Sequence, residues 1–421
     1  MTRALTIIDG EHYAPVVRDA IAALPYDVTA AWFAGGTEKL RGGEDYGVPL
    51  VEELEDGLAG ADVVVDLSDE PVLGPRERFR LASRVLAAGL PYLGADFRFD
   101  PPTLEPFDLP SLGIVGTGKR VGKTAVAGSI ARQLARTREI VVVAMGRGGP
   151  PDPEVADVTP TLESLLELSR AGRHAASDYL EDAALARVVT VGCRRCGGGL
   201  AGATMTSNVL EGARLAAERD PDLVIFEGSG SALPPVATRK RILVAGASQP
   251  PEVVAGYLNA YRILISDLVV VAPAEPGEPL EELRRAIRDV KDVPVVAVAL
   301  RPRPVEPIGG KRIAFFTTAP EAAHERLAAH LRTSYGAAEV AVSGNLADRE
   351  ALRADLTRVE ADTYLVEIKA AAIDVVAEAA AGRGIPVVFA DNEVLQLDGE
   401  LDLEAEIEAL AEAAMQEPVP A

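Results

Sequence analysis

Short, nearly unbroken apolar runs recur along the middle of the chain, at residues 112–115, 140–144, 188–191, 223–226, 242–245, 268–272 and 295–299. Each is rich in Val, Ile, Leu or Ala and meets Gly or Pro within a few positions. Continuous rather than alternating hydrophobicity marks strands covered on both faces, as in a parallel sheet between helical layers. Between these runs the period changes to about 3.6 residues. After Gly122, for example, Val126, Ile130 and Leu134 share a face with Ala127 and Ala131 beside them, which predicts a helix. Upstream, 4–8, 28–33 and 62–66 read as strands, and 15–24 and 76–88 as helices. Downstream, strands are predicted at 312–316, 339–342, 364–368 and 387–390, followed by an acidic, alanine-rich helix over 404–415.

Two proline-rich stretches interrupt this alternation. Residues 99–110 hold Pro101, Pro102, Pro106 and Pro110, and 301–307 hold Pro302, Pro304 and Pro307. Proline continues neither a helix nor a central strand, so the first stretch reads as a linker; the second follows the central domain and precedes the remainder of the chain. The prediction is an α/β protein in three parts: an N-terminal Rossmann-like α/β domain over 1–108, a central domain with a mostly parallel sheet over 111–305, and a C-terminal α/β region over 308–421. The last either stands alone or continues the central sheet.

Composition narrows the class of protein. The 421 residues are 48% apolar but only 5% aromatic, and the formal charge is −22. Such a chain repels nucleic acid and anionic membranes, and neither is expected as a partner. Two cysteines make no disulfide framework. No run of about 18 apolar residues and no leader core is present, so a cytoplasmic enzyme is expected. A homodimer is compatible with all of this.

The central domain carries a phosphate-binding signature. Gly116-Thr117-Gly118-Lys119-Arg120-Val121-Gly122-Lys123-Thr124-Ala125 lies between a predicted strand and a predicted helix, and this is the P-loop NTPase pattern. A glycine-rich turn there aims backbone N–H groups and the helix dipole at an anion. Lys123 would reach the outer phosphates of ATP, and the Thr124 hydroxyl would ligate Mg²⁺. The spacing is unusual, since Thr117 stands where the common pattern has its first glycine. A second motif, Glu227-Gly228-Ser229-Gly230-Ser231, follows the run 223–226. A carboxylate ending a neighbouring strand can complete the metal environment; standing alone it would be a solvated strand end.

Further candidates surround these motifs. Cys193-Arg194-Arg195-Cys196-Gly197-Gly198-Gly199 joins two guanidiniums to three glycines, a combination suited to gripping phosphate closely. A redox pair or half of a metal site is the competing reading of its two cysteines. Arg147 lies beyond the strand 140–144, where ligands gather in open α/β sheets. Arg173 and His174 are possible phosphate donors. Asp178 reads as a further Mg²⁺ carboxylate or as a helix cap. Arg239 and Lys240 follow the Glu227 loop; Lys240 would offset charge on a transferring phosphoryl group, or the trio with Arg241 is a surface basic patch. Asp9 and His12 sit beyond the first predicted strand.

The form Gly-Thr-x-x-x-Val-Gly-Lys-Thr, with a later strand ending Glu-Gly-x-Gly, resembles dethiobiotin synthetase and its relatives. A resemblance covering essentially the whole chain is to the cyclic 2,3-diphosphoglycerate synthetase family. It rests on Asp9-Gly-Glu-His-Tyr13, the loop Gly116–Thr124, His174-Ala-Ala-Ser-Asp178, the Cys193–Gly199 segment and Glu227-Gly-Ser-Gly-Ser-Ala-Leu-Pro-Pro235. It implies that ATP and Mg²⁺ are used to close a small anionic metabolite, 2,3-bisphosphoglycerate, into a cyclic phosphoanhydride with release of ADP and phosphate. Lys123, Lys240 and Glu227 would then be catalytic, with Thr124, Glu227 and Asp178 around the metal. Arg194 and Arg195 would hold the two substrate phosphates, assisted by Arg147, Arg173, His174, Gly197, Gly198, Gly199, Arg239, Asp9 and His12. The competing enzymatic reading is a ligase activating a carboxylate or carbamate. A switch ATPase or metal carrier is the non-catalytic one, but it resembles Lys-Gly-Gly-x-Gly-Lys-Thr, and this chain has Gly118 where the extra lysine would stand.

Overall fold

A computed structural model describes residues 1–173, 175, 177–368, 372–397, 399 and 401–417; His174 lies outside them. The protein is mixed α/β with mostly parallel sheets. The first hundred residues form a six-stranded sheet in the order Leu50–Val51, Asp27–Phe33, Arg3–Ile8, Val63–Asp66, Tyr92–Leu93, Arg98–Phe99. All pairings are parallel except the last. The strand Arg3–Ile8 is buried from Ala4 to Ile8, as a central strand flanked by helices should be.

The second sheet has 13 strands among the described residues. Its central portion runs Val189–Cys196, Ile140–Gly146, Leu223–Glu227, Ser111–Gly116, Lys240–Gly246, Leu268–Ala272 and Val295–Pro304, all parallel. Parallel order sends every C-terminal strand end to one edge, and the site described below gathers there.

Both proline-rich stretches behave differently from simple connections. The first crosses onto the central unit: Glu105 pairs with Val236 through the backbone, and Phe107 is buried edge-on against Phe226 with ring centroids 5.0 Å apart. The second is a strand. Val295–Pro304 continues through Pro302 and Pro304 and pairs antiparallel with Val387–Gln396, from Val298↔Gln396 to Pro304↔Ala390. The two prolines have the same parity, so their missing donors fall on one side of the strand, away from a ladder that needs them. Strand pairing therefore carries the sheet onward through Val387–Gln396, Thr363–Glu367, Arg312–Phe316 and Glu339–Ser343.

The last helix, Leu403–Gln416, returns to the central unit. Leu403, Ile407, Ala411 and Ala414, spaced by three or four positions, lie in the same core as Leu112, Val126 and Ile130 of the P-loop strand and helix. The N-terminal unit is joined as firmly. Its helix Pro75–Ala87 packs on helix Asn259–Leu264, Ser83 Oγ donates to the Tyr257 carbonyl at 3.0 Å, and Leu5, Leu81 and Tyr92 share one core with Val115, Leu243 and Tyr261. No helix among the described residues is long and apolar enough to cross a membrane.

Candidate nucleotide and anion site

The P-loop joins strand Ser111–Gly116 to helix Lys123–Leu134. Gly122 caps the helix at φ +79°, and a Cβ there would stand 2.8 Å from Leu300 Cδ1, so both conformation and space demand glycine. No side chain caps this helix end, and its first turn carries no acidic residue. Its free N–H groups remain available to an anion. Thr117 anchors the other end of the loop: its N–H donates to the Val244 carbonyl, and its hydroxyl bonds Gln249 and accepts from Gly246 N–H at 3.2 Å. Lys119 and Arg120 are exposed at the tip, and Thr124 and Ala125 are half-buried beyond it.

Lys123 is 8% exposed and pairs with Glu227, which is 1% exposed at the end of the adjacent strand Leu223–Glu227. Behind Glu227 lies Asp182, a residue that sequence reasoning missed. It is 4% exposed on helix Asp178–Leu185. Burial first, and then the charge and hydrogen bond of Glu227, push the Asp182 carboxyl well above its usual range. Two carboxyl groups can bond each other only by sharing a proton. That proton resolves an otherwise awkward fact, that Asp182 Oδ2 and Glu227 Oε2 are buried with no other partner among the described residues. The available signal was spacing: Asp178 and Asp182 lie one helical turn apart on one face.

Asp178 begins its helix beside the end of strand Ile140–Gly146; a Cβ built on Gly146 would lie 3.4 Å from its Oδ2. Thr124, Glu227 and Asp178 supply hard oxygen donors of the kind magnesium takes. No cluster of three or more His, Cys, Asp or Glu side chains could hold a metal alone among the described residues. Nucleotide phosphates would have to complete the coordination, as is common for Mg²⁺.

Arg195 and Arg147 meet over the turn Ser229–Ala232. That turn is closed by reciprocal bonds between Ser229 and Ala232, with Gly230 at φ +62°. A Cβ on Gly230 would stand 2.6 Å from Arg147 Nη2 and 4.0 Å from Arg195 Nη2. Arg195 donates to the Ser229 carbonyl at 2.8 Å and the Gly197 carbonyl at 2.7 Å. Burial and the nearby Arg147 charge lower its pKa. Neither arginine pairs with a carboxylate among the described residues, and Arg195 Nε is buried without a partner. The turn abuts the P-loop, because a Cβ on Gly116 would approach the Gly230 carbonyl to 2.9 Å.

Arg194 takes no part in this convergence. Consecutive strand residues face opposite ways; Arg194 is exposed, and its backbone N–H donates to Asn208. The same alternation separates the cysteines. Cys193 is buried, its thiol pushed up to about 12 by that burial, while Cys196 is exposed, and both are free. Gly197 adopts φ +73°, and Gly198 lies against Arg195, 3.2 Å from Nη1 to a Cβ built there; Gly199 continues the loop.

Other expected residues sit elsewhere. Lys240 opens its strand opposite Leu112, four residues and about 13 Å short of the P-loop edge, and pairs with Glu417. It cannot offset charge on a phosphoryl group from there. Arg239 donates to the Ala414 and Glu417 carbonyls at 3.0 and 2.7 Å and to Asp108, so it caps the final helix rather than substrate. Arg173 is held by Glu154, which also accepts from Tyr179. Asp9 is fully buried, accepting from the Glu11 and Asp69 N–H groups, with His12 Nδ1 2.9 Å away, and thus locks a turn.

Three family models for cyclic 2,3-diphosphoglycerate synthetase match the chain: the N-terminal domain over 3–100, the P-loop domain over 111–299 and the C-terminal domain over 304–393. A protein of that name from Rubrobacter xylanophilus is 52% identical, covering 95% of this chain and 96% of its own. Those from Thermococcus kodakarensis and Methanothermus fervidus are 43% and 41% identical, each covering 94% of this chain, and 95% and 94% of their own. Among solved structures, LpxK from Aquifex aeolicus in complex with ATP aligns at 14% identity and a TM-score of 0.43, covering 73% of this chain and 90% of that one.

Proposed function

This chain belongs to the cyclic 2,3-diphosphoglycerate synthetase family, and we propose that it uses ATP to close 2,3-bisphosphoglycerate into a cyclic phosphoanhydride, releasing ADP and phosphate. An oxygen of one substrate phosphate attacks the γ-phosphorus of ATP, and ADP leaves. An oxygen of the neighbouring substrate phosphate then attacks the activated phosphorus, expelling inorganic phosphate and closing the ring. The second step is intramolecular, so holding the groups together supplies much of the rate. Lys123 and the free N–H groups at the start of its helix offset charge on the β–γ linkage. Thr124, Glu227 and Asp178 would hold Mg²⁺, which supplies further charge neutralisation at the phosphates. The reading places the enzyme in the cytoplasm with a small anionic metabolite as its partner.

The observation that carries this reading is the Arg147–Arg195 pair. Two guanidiniums without carboxylate partners, in a chain of net charge −22, stand against the loop that would hold ATP. Two substrate phosphates repel each other, and this pair offsets that repulsion where it matters. Bisphosphoglycerate carrying ¹⁸O on its non-bridging phosphate oxygens tests the order of bond making. The attacking oxygen becomes the bridge to the γ-phosphorus and departs with it, so singly labelled phosphate is expected beside ADP. Unlabelled phosphate would mean that water attacks ATP, and AMP would mean an adenylating ligase; either overturns the mechanism.

A further inference from the structure

Arg262 is the most deeply buried arginine near this site, 2% exposed on helix Asn259–Leu264. Its contacts are all to neutral oxygens. Nε and Nη2 donate to the Ser231 carbonyl at 2.9 and 2.6 Å, and Nη2 also donates to the Leu200 carbonyl at 3.1 Å. Nη1 donates to the Leu258 carbonyl at 2.9 Å and to Asn259 Oδ1 at 3.2 Å. No carboxylate pairs with it among the described residues, and burial lowers its pKa to about 10. An isolated buried guanidinium is costly, and packing alone would favour an apolar side chain of similar size. What the charge and fork accomplish is a cross-link. Leu200 belongs to the glycine loop that begins at Gly197, whose carbonyl holds Arg195; Ser231 belongs to the turn whose Ser229 carbonyl holds Arg195 from the other side.

The two loops interlock around this guanidinium. Leu233 N–H donates to the Gly202 carbonyl at 2.8 Å, and Gly202, at φ +97°, admits no Cβ: one would lie 2.8 Å from Leu233 Cγ, 3.0 Å from the Ser231 carbonyl and 3.2 Å from Arg262 Nη2. The neighbouring Asn259 also donates to the Thr117 carbonyl in the P-loop at 3.4 Å. From outside, the N-terminal helix Pro75–Ala87 grips the same short segment.

Resting on the bisphosphate reading above, we propose that Arg262 is a positioning residue, locking the glycine loop to the Ser229–Ala232 turn so that Arg195 is held beside Arg147. It touches neither phosphate nor nucleotide and acts through the two loop carbonyls.

The test uses the full-length enzyme with Arg262→Ala and Arg262→Lys. Misplacing a binding group by about 1 Å can cost up to about 100-fold. KM for 2,3-bisphosphoglycerate should therefore rise roughly 10- to 100-fold in Arg262→Ala while KM for ATP stays within about twofold, and added guanidinium should restore part of the loss. Lysine keeps the charge but lacks the fork, so Arg262→Lys should show the same split to a smaller degree. Unchanged bisphosphate KM in both variants overturns the proposal. So does an equal rise in both KM values, or failure of both variants to fold, which would make Arg262 a residue of the core. If the wild type itself does not saturate with bisphosphate, the functional reading falls instead.

Discussion

Replacing Asp182 by Asn isolates the proton shared between Asp182 and Glu227. The amide keeps the shape and can still donate to Glu227, but it cannot titrate. In the wild type the Asp182 pKa is raised on folding, chiefly by burial and then by the Glu227 charge. Above the ordinary carboxyl value of about 3.9, the unfolded chain gives up this proton while the folded protein keeps it. Stability is therefore intact below that value and declines as pH rises toward the folded pKa. The slope is about 1.4 kcal/mol per pH unit for one proton. Between pH 5 and 7 the wild type should lose stability relative to Asp182→Asn, by no more than about 2.7 kcal/mol for one proton. With an unfolding entropy of about 2.1 cal/mol/K per residue, the gap in Tm should open with rising pH, by at most about 3 °C over that range. Thermal unfolding without nucleotide or metal, at pH 5, 6 and 7, measures it. A Tm difference that stays constant across the series would show that Asp182 is ionised in the folded protein, and the shared proton would be refuted.

Two other substitutions separate site from scaffold. Arg195→Ala or Arg147→Ala should raise KM for the bisphosphate roughly 10- to 100-fold, the range for a lost charge-assisted hydrogen bond, whereas Arg194→Ala should stay within about twofold; steady-state ADP release distinguishes them. Lys240→Met should leave turnover within about twofold and cost less than about 1 kcal/mol, because its partner is the half-exposed Glu417 just past the end of the final helix; a large loss of kcat would return Lys240 to the site.

What was legible in the sequence follows from what is local. The buried parallel strands announce themselves by continuous apolar runs, and the P-loop by glycines whose need is set by nearby backbone, as Gly122 shows. Glu227 was legible because it ends such a strand. The arginines divide on a finer rule. Composition marks Arg194 and Arg195 alike, but strand alternation turns only Arg195 toward the Ser229 turn. Lys240 follows the Glu227 motif closely in sequence, yet it starts a parallel strand and so lies at the edge remote from the P-loop. Arg262 had no local signal, since its partners at Leu200 and Ser231 are 62 and 31 residues away. The antiparallel strand through Pro302 and Pro304 was hidden because proline excludes a strand only where its N–H would be needed.

The shared proton also bears on how Lys123 can serve two partners. In the structure its ammonium is satisfied by Glu227. To act on ATP as proposed, it would leave that carboxylate for the outer phosphates. Breaking a buried pair is expensive mainly because one charge stays behind uncompensated, and at 1% exposure Glu227 has no route to bulk water. Asp182 reduces that cost by donating its proton to the same carboxylate from behind. A second ionised group there would do the opposite, raising the negative charge next to the arriving phosphates. On the proposed mechanism, the burial that keeps Asp182 protonated would also let Lys123 exchange a carboxylate for a phosphate without rearranging the strand that carries Glu227.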